Sequence, residues 1–336
     1  MEKAKSAALA APEMIEQLNP ARIVEADLLA VEAKLCRLLD SREGLISEIC
    51  HYLIDGGGKR LRPLFILLVH RGCGGDGRTV ADAVDAAVAL ELIHSATLLH
   101  DDIIDGGTLR RGKPSAFTLY GSGPTMVAGD YLFCRAFELC GRFEEPLVHT
   151  AAQACIQLTE GEVMEGRLRR NAAVSLADYM AVIGRKTASL FAAGGKVAAD
   201  LAGAPAQLSS AMADLGSAIG CAFQMIDDLL DVIGPEEKTG KPVGSDLREG
   251  IPSLPVVLAV ESDPELRKLF ANGRALDGAD FVRALQILRS PRLLDRARAL
   301  AAEQVELARR VLAQLKPSIY RDSLRVLIDE QIDREL

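Results

Sequence analysis

The sequence RTVADAVDAAVALELIHSATLLHDDIID (residues 78–105) decides the fold of this chain. Apolar residues occupy more than one face of the helix that it predicts, which is typical of a helix buried inside a bundle. A second apolar stretch, AIGCAFQMI (residues 218–226), leads into a second acidic group, DDLLD (residues 227–231). Each stretch therefore predicts a buried helix that ends in the spacing Asp-Asp-x-x-Asp.

Helical patterns continue outward from these two segments over most of the 336 residues. Residues 21–55 show amphipathic periodicity, and a helix is expected over about 211–232. Hairpin turns and regular runs of β-branched residues are almost absent. The sequence predicts an all-α fold, a single-domain helical bundle over residues 21–336, after a loose or weakly helical tail at 1–20.

The composition excludes several classes of function. The formal net charge is −8, whereas a nucleic-acid binder usually presents a basic face, so no nucleic-acid partner is expected. The seven cysteines include no Cys-x-x-Cys pair, so neither a structural zinc site nor a secreted disulfide framework is indicated. No apolar run is long enough to span a membrane, and the small-residue N-terminus does not resemble a signal peptide. We therefore expect a soluble, cytoplasmic protein without a transmembrane segment.

The two acidic groups place pairs of carboxylates on one helix face. Asp101 and Asp105 are four residues apart and share a face, as do Asp227 and Asp231. Such close pairs repel by up to ~4 kcal/mol at an effective dielectric constant of about 20, and bound cations remove this cost. Carboxylates without nearby cysteine or suitably spaced histidine favour a hard ion such as Mg²⁺. One copy could be a solvated helix end, but two copies after apolar helices indicate six carboxylates around one cavity.

Basic residues beside glycine turns complement these carboxylates. The segment GGGKRLRP (residues 56–63) could wrap a phosphate with backbone N–H groups and cations, although it is not a P-loop. Arg110 and Arg111 follow Asp105 closely enough to lean over the same cavity. Each basic residue alone is more often a surface charge, so their grouping carries the prediction. The same group includes Lys186 and Thr187, on a predicted helix, and Lys241, in a loop.

Five segments together resemble the trans-isoprenyl diphosphate synthase family, most closely its long-chain, octaprenyl diphosphate synthase-like branch. They are GGGKRLRP (56–63), LLHDDIIDGGTLRRGKPSA (98–116), GRKTASLF (184–191), FQMIDDLLDVIG (223–234) and GKPVGSDL (240–247). They occur in the family's order and spacing, and the likeness covers about residues 25 to 330. The resemblance implies an all-α bundle around a deep central cavity, a homodimer, and three Mg²⁺ ions in each active site.

The resemblance also implies roles for individual residues. Three carboxylates are expected to hold the metal ions: Asp101, Asp105 and Asp227. The other three aspartates are expected to support these metal ions by direct contact, through a bridging water, or by holding a metal ligand in place: Asp102, Asp228 and Asp231. The clamp for isopentenyl diphosphate would consist of Lys59, Arg62, His94 and Arg111. The allylic diphosphate would contact Arg110, Lys186, Thr187, Gln224 and Lys241, with Lys186 and the six aspartates forming the catalytic set.

The implied reaction is a head-to-tail (1'-4) condensation of isopentenyl diphosphate onto an allylic primer such as farnesyl diphosphate. Magnesium and basic residues stabilise the leaving diphosphate, which also serves as the base, so no nucleophilic side chain is needed. Ala96 and Thr97 lie one helical turn before the first aspartate, where short-chain enzymes often place an aromatic ring. An open position predicts an all-trans product of about C30 to C50, used for quinone side chains and delivered to the membrane. Phe133 or Phe137 is a candidate for the cavity floor, and ordinary core packing is the alternative for both.

The chain departs from the family pattern near the second motif and in one other place. Ile251 stands where a lysine is usual, and Ser253 replaces a threonine. The lost cation either weakens binding of the allylic substrate or is compensated by a neighbour such as Arg248. Glu165 stands where glutamine is common. None of these changes touches an expected metal ligand, so an active enzyme is expected.

Other functions remain open at this point. A shorter-chain synthase, making geranylgeranyl or farnesyl diphosphate, has the same motifs. A class I terpene cyclase shares the bundle and one aspartate motif, but it would not need GGGKRLRP and would consume a single substrate. His100-Asp101 could belong to an HD-type phosphohydrolase, which leaves the second cluster unexplained. A helical scaffold or inactive partner subunit would not need intact aspartate clusters.

Overall fold

A computed structural model describes residues 18–234, 243–271 and 276–333, with side chains described up to residue 330. The predicted tail at 1–20 lies almost entirely outside this range. The N-terminal helices are α1 Pro20–Ile23, α2 Glu25–Leu38, α3 Gly44–Asp55, α4 Leu61–Gly72, α5 Val80–Ile104, α6 Ala116–Tyr120, α7 Ser122–Cys140, α8 Glu145–Leu168 and α9 Leu176–Ile183. After one turn of π-helix at Gly184–Ala188 follow α10 Ser189–Leu201, α11 Ala206–Ile233, α12 Ser245–Glu249, α13 Leu254–Ser262, α14 Pro264–Ala271, α15 Gly278–Leu288, α16 Pro291–Leu312 and α17 Ile319–Asp333.

The all-α prediction is confirmed, with one small addition. Two strands of two residues each, β1 Leu109–Arg110 and β2 Lys113–Pro114, pair antiparallel directly after α5. Gly112, with φ of 73°, occupies the turn between them, in the left-handed region that glycine tolerates. The hairpin folds the chain back towards the end of α5.

Helix α5 is the central element of the larger core. It packs against α2, α4, α7 and α10, and Leu92, Ile93 and Leu99 are completely buried. It is the one described helix that is long and apolar enough to cross a membrane, and 83% of its most apolar window is buried inside the fold. Its all-round hydrophobicity therefore reflects its position in the bundle.

Helix α11 carries the second acidic motif and packs against α10 and α16. It extends back to Ala206, five residues before the expected start, because Pro205 precedes its first turn. A Cβ atom at Gly220 would lie 2.6 Å from Cα of Ala188, so the missing side chain allows α11 to approach the π-helical turn closely. A second hydrophobic cluster surrounds the end of α11 and includes residues of α13–α16. The two acidic helix ends are thus fixed by two adjoining cores.

Candidate active site

The ends of α5 and α11 face one cavity of about 650 Å³. Both predicted acidic motifs reach it, through Asp101 and Asp105 on one side and Asp227, Asp228 and Asp231 on the other. The predicted basic and polar residues on its wall are Lys59, Arg62, His94, Arg110, Lys186, Thr187 and Gln224. Apolar side chains complete it: Leu98, Leu158, Val182, Ile183, Leu190, Phe223, Leu230 and Ile251. Residues far apart in the sequence therefore form one pocket with a charged part and an apolar part.

The three carboxylates of the first motif have different surroundings. Asp102 is buried and accepts hydrogen bonds from Arg110, at 2.9 Å and 3.0 Å from Nε and 2.7 Å from Nη2. Asp105 is paired with Arg169, from the loop after α8. Burial raises the pKa of Asp101 to about 7, against the opposing effect of Lys186. The first motif thus holds one carboxylate whose buried charge calls for a cation.

Asp228 of the second motif is a buried anchor. It accepts hydrogen bonds from Tyr179 Oη at 2.8 Å, Gln224 Nε2 at 2.8 Å and the backbone N–H of Leu254 at 2.9 Å. Burial raises its pKa to about 7, although these three donors stabilise the ionised form. Thr187 Oγ1 in turn donates to Gln224 Oε1 at 2.8 Å. Asp228 thereby joins α9, the π-helical turn, α11 and α13.

The other two carboxylates of the second motif lie towards the opening. Asp231 accepts hydrogen bonds from Ser245 Oγ at 2.5 Å and from the backbone N–H groups of Ser245 and Asp246, at 3.1 Å and 3.3 Å. It therefore caps the start of α12 while remaining on the cavity wall. Asp227 is the most exposed of the three and faces the cavity.

Lys186 projects from the π-helical turn between two glutamates of α8. Its Nζ lies 2.7 Å from Glu162 and 2.6 Å from Glu165. Burial lowers the pKa of Lys186, but Glu165, Asp101 and Glu162 outweigh this effect, so its pKa is raised and it stays cationic. Glu165, where glutamine was expected, is thus the ion-pair partner of a predicted substrate-binding lysine. π-Helical turns commonly occur at functional sites.

Two of the residues predicted to hold isopentenyl diphosphate, Lys59 and Arg62, lie around the start of α4, and a third, His94, lies on α5. The Arg62 guanidinium lies 4.7 Å from the ring centre of Phe191, and its Nε has no hydrogen-bond partner among the described residues. Burial lowers the pKa of Arg62 to about 10, so the side chain is still charged at neutral pH. Burial and nearby arginines push the pKa of His94 well below its usual value, which keeps this imidazole neutral. A cation on the cavity wall whose Nε has no partner among the described residues is suited to an anionic ligand.

A carboxylate behind the clamp balances its charge. Glu91, 5% exposed, lies 3.4 Å from the guanidinium of Arg60, whose Nε also contacts Glu32 at 2.6 Å. Burial raises the pKa of Glu91, and Arg62 and Arg60 oppose that effect. Arg111 does not itself line the cavity, but its guanidinium comes within 3.1 Å of a Cβ position at Gly58 in the loop GGGKRLRP.

The expectations for product length require a correction. Thr97 lines the cavity, while Ala96 is completely buried in the core. The proposed floor is wrong: Phe133 and Phe137 line a separate cleft between α7 and α8, and Phe137 is 50% exposed. Helix α7 turns its Leu132 face towards the core, and Phe137 points to the outside. Phe133 is partly buried against the core, with its ring centre 5.9 Å from that of His100.

One further basic residue, Arg248, lies elsewhere than expected. Arg248 stacks on the Phe281 ring, with the guanidinium carbon 3.7 Å from the ring centre, and is not part of the cavity wall. The idea that Arg248 compensates at this wall for the lysine absent at Ile251 is therefore wrong. Lys241 lies outside the described residues. Ile251 itself lines the cavity.

Sequence reasoning missed several residues of the site. Tyr179 and Glu162 line the cavity, and Arg169, Glu91 and Arg60 act on its charged groups. Glu162 and Glu165 are three residues apart in one predicted helix, a spacing that could have indicated a shared cation partner. Nothing local in the sequence links Tyr179 to Asp228 or Arg169 to Asp105.

The cavity fits a hard divalent cation. Within the described ranges, no three His, Cys, Asp or Glu side chains are already grouped closely enough to hold a metal ion. Several of the carboxylates instead accept hydrogen bonds from protein donors. The wall nevertheless carries eight carboxylates against four lysine or arginine side chains. Oxygen donors and a surplus of negative charge suit Mg²⁺ shared with a phosphorylated ligand.

The sequence matches the model of the polyprenyl synthetase family over residues 43–286. The chain belongs to this family. It is therefore a prenyltransferase, a prenyl diphosphate synthase, from a metal-dependent family whose substrates are isopentenyl and allylic diphosphates. The prediction of this family from the five sequence segments is confirmed.

Individual members of the family show how broad it is. The chain is 36% identical to a short chain isoprenyl diphosphate synthase from Methanothermobacter thermautotrophicus, over 84% of this chain and 89% of the relative. It is 34% identical to octaprenyl diphosphate synthase from Haemophilus influenzae, over 93% and 95%. A polyprenyl synthase from Caulobacter crescentus, solved with calcium and isoprenyl diphosphate, shares 36% identity with a TM-score of 0.89, over 96% and 98% of the two chains. These names span short and long products, so similarity alone leaves the product length open.

Proposed function

We propose that this synthase makes a long all-trans polyprenyl diphosphate by repeated condensation of isopentenyl diphosphate onto an allylic primer such as farnesyl diphosphate. One observation carries the proposal: both acidic motifs and two separate groups of basic side chains line a single cavity, part of whose wall is apolar. Two anionic substrates and a hydrocarbon chain need this combination. The product is expected to contain about C30 to C50 and to supply quinone side chains.

The carboxylates proposed to hold Mg²⁺ are Asp101, Asp105 and Asp227. When bound, the ions neutralise the charge that grows on the departing allylic diphosphate. Asp102 and Asp228 are already saturated by protein hydrogen bonds, so they orient their helix ends. By analogy with the family we propose three ions in each active site.

The allylic half of the reaction depends on positioning and on the exclusion of water. Lys186 and Arg110 present their cationic groups to the diphosphate, and the Thr187–Gln224 hydrogen bond fixes the adjoining wall. As the allylic C–O bond breaks, the electron pair leaves with the diphosphate. Leu98 and Phe223 border the carbocation with apolar surface, which limits its capture by water.

The second half of the reaction brings the other substrate to this cation. Lys59, Arg62 and Arg111 hold the diphosphate of isopentenyl diphosphate, with neutral His94 beside it. The double bond of isopentenyl diphosphate attacks the allylic carbon, and a proton then leaves to the released diphosphate. Holding both substrates in one cavity makes this step effectively unimolecular.

Product length is proposed to follow from the absence of an aromatic ring at Ala96, which is buried in the core, and at Thr97, which lines the cavity. Ala96 and Thr97 lie on the first turn above the acidic motif, where an aromatic ring would obstruct a growing chain. A shorter-chain synthase is the alternative, and the apolar wall of the cavity is compatible with both. Phe133 and Phe137 do not line this cavity.

We also propose that the protein is a homodimer through the face formed by α7 and α8. Phe137, Ile156 and Val163 are each about half exposed or more, at 50%, 49% and 60%, and lie around the second cleft. Such a contiguous apolar face favours association. We also expect the dimer to be cytoplasmic and to transfer its product to a membrane. A change of Val163→Glu should lower the mass measured by light scattering to that of one chain.

The experiment that tests the reaction class measures which substrates are consumed. The protein is incubated with MgCl₂, isopentenyl diphosphate and farnesyl diphosphate, together and singly, and diphosphate release is followed. Release that requires both substrates and stops with chelator supports the proposal. Release from farnesyl diphosphate alone would indicate a terpene cyclase, and phosphate release from nucleotides would indicate an HD-type phosphohydrolase. A protein inert under all these conditions would fit a scaffold.

A further inference from the structure

The cations on the allylic side of the cavity are already engaged by carboxylates. Lys186 contacts both Glu162 and Glu165, and Arg110 is held by Asp102. Ile251, on the same wall, contributes no charge. An incoming allylic diphosphate therefore meets few unengaged donors on this side.

Arg169 does not itself line the cavity, but it pairs with a carboxylate that does. It is the residue directly after α8, and its guanidinium reaches across to Asp105 Oδ1. Its side chain is 25% exposed and that of Asp105 is 23% exposed, so the pair lies at the rim of the cavity. The pair is accessible to solutes and is not a buried structural bridge.

The loop of Arg169 is locked to the loop that contains Ile251. The backbone N–H of Arg170 donates to the carbonyl of Gly250 at 2.9 Å, and Arg170 Nη2 donates to the carbonyl of Arg248 at 3.1 Å. Arg170 has φ of 54° and Gly250 has φ of 76°, both in the left-handed region. A Cβ atom at Gly250 would lie 2.5 Å from Cγ of Arg170.

The interloop hydrogen bond places Arg169 near Ile251. Ile251 directly follows Gly250, and Arg169 directly precedes Arg170, so the two residues flank the same interloop hydrogen bond. Backbone strain of this kind is retained where the surrounding structure requires it, often at ligand sites. Arg248, on helix α12 just before the loop of Ile251, is occupied by the Phe281 ring.

We propose that Arg169 is a substrate-binding residue for the allylic diphosphate and supplies the cation that Ile251 does not. This inference rests on the proposed function. Before ligands enter, Arg169 neutralises Asp105. With a divalent cation held by Asp105, the Arg169 guanidinium would lose this ion pair and would be available to donate to diphosphate oxygens. Arginine suits this role because its planar fork matches phosphate geometry.

The test compares Arg169→Ala with Arg248→Ala. Arg248 is the matched control because it lies on α12, close to the same loops, but stacks on Phe281 and does not line the cavity. Losing a charge-assisted contact should raise the KM for farnesyl diphosphate about ten- to hundredfold in Arg169→Ala. The KM for isopentenyl diphosphate should stay within about twofold of wild type in both variants. Arg169→Lys should fall between alanine and wild type.

A second measurement separates binding from a merely structural role. Mn²⁺ affinity without diphosphate, followed by electron paramagnetic resonance, should become about two- to fivefold tighter in Arg169→Ala, because Asp105 loses a competing cation. Ile251→Lys should change little in the wild-type background but should lower the allylic KM of Arg169→Ala.

Three results with the single variant Arg169→Ala would overturn the assignment. They are an allylic KM of Arg169→Ala within twofold of wild type, equal rises in both KM values, and Mn²⁺ binding that is unchanged or weaker. Failure of Ile251→Lys to rescue Arg169→Ala would do the same. Polyprenyl product from the wild-type protein keeps the proposed function intact in each case, so the two failures are distinguishable.

Discussion

Replacement of Glu91 by glutamine tests the charge balance behind the clamp. Glu91 is buried and faces Arg60 at 3.4 Å, and its charge also offsets that of Arg62, which is deeper and lacks a partner for Nε within the described structure. Removing one partner of a buried ion pair typically costs 3–5 kcal/mol, because the other charge is left uncompensated. Arg60 keeps Glu32 and the carbonyl of Ile54, so we expect a smaller loss of about 2–3 kcal/mol in the free energy of unfolding.

Glu32→Gln is the matched control. Both glutamates contact Arg60, but the Glu32 side chain is 40% exposed whereas that of Glu91 is 7% exposed. Exposed ion pairs contribute about 0–1 kcal/mol, so Glu32→Gln should stay below about 1 kcal/mol. Urea denaturation of wild type and both variants at one protein concentration gives the comparison, since dimerisation makes stability depend on concentration.

A ligand measurement completes this test. Inorganic pyrophosphate without metal should raise the denaturation midpoint of Glu91→Gln more than that of wild type, because its charge replaces the missing carboxylate. If Glu91→Gln and Glu32→Gln lose equal stability, burial of Glu91 is not the determining factor. If pyrophosphate stabilises all three proteins equally, the clamp argument is refuted.

Three other substitutions test separate parts of the site. Metal-free Asp101→Asn should be more stable than wild type at pH 8, and the difference should shrink as the pH is lowered from about 7 to about 5 in urea titrations. Burial raises the folded-state pKa of Asp101 to about 7, above its unfolded value, so ionisation in the unfolded chain removes stability progressively between the two pKa values. Equal stability at pH 8 would contradict this. Tyr179→Phe removes one of three hydrogen-bond donors to Asp228 and should lower the free energy of unfolding by about 1–3 kcal/mol. A loss below about 0.5 kcal/mol, the size expected of a surface substitution, would show that this hydrogen bond is unimportant. Ala96→Phe should shorten the product, measured by chromatography after dephosphorylation, and an unchanged long product would remove Ala96 from the account of chain length.

The fold and the identity of the acidic residues could be predicted because they depend on local patterns. Helix α5 is apolar all round and ends in Asp101, Asp102 and Asp105, and this pattern requires burial of the helix and exposure of its end to a cavity. The five sequence segments added the family, since their order and spacing are specific.

The partners of these residues could not be predicted because they come from distant parts of the chain. Tyr179 is 49 residues from Asp228, and Arg169 is 64 residues from Asp105. The π-helical turn that presents Lys186 has no signal in the sequence, and the spacing of Glu162 and Glu165 does not identify Lys186 as their shared partner.

The floor of the cavity was misassigned for another reason. Helix α7 carries apolar residues on two faces, and periodicity alone does not say which face meets the core. The structure buries Leu132 and Ala136 and leaves Phe137 half exposed.

The size of the product is the most direct test of the central claim. Wild-type protein is incubated with MgCl₂, farnesyl diphosphate and an excess of labelled isopentenyl diphosphate, and the dephosphorylated products are sized by mass spectrometry. The account predicts all-trans alcohols of about C30 to C50, each containing one farnesyl unit and several isopentenyl units. Products that end at C20, or the absence of any elongated chain, would contradict it.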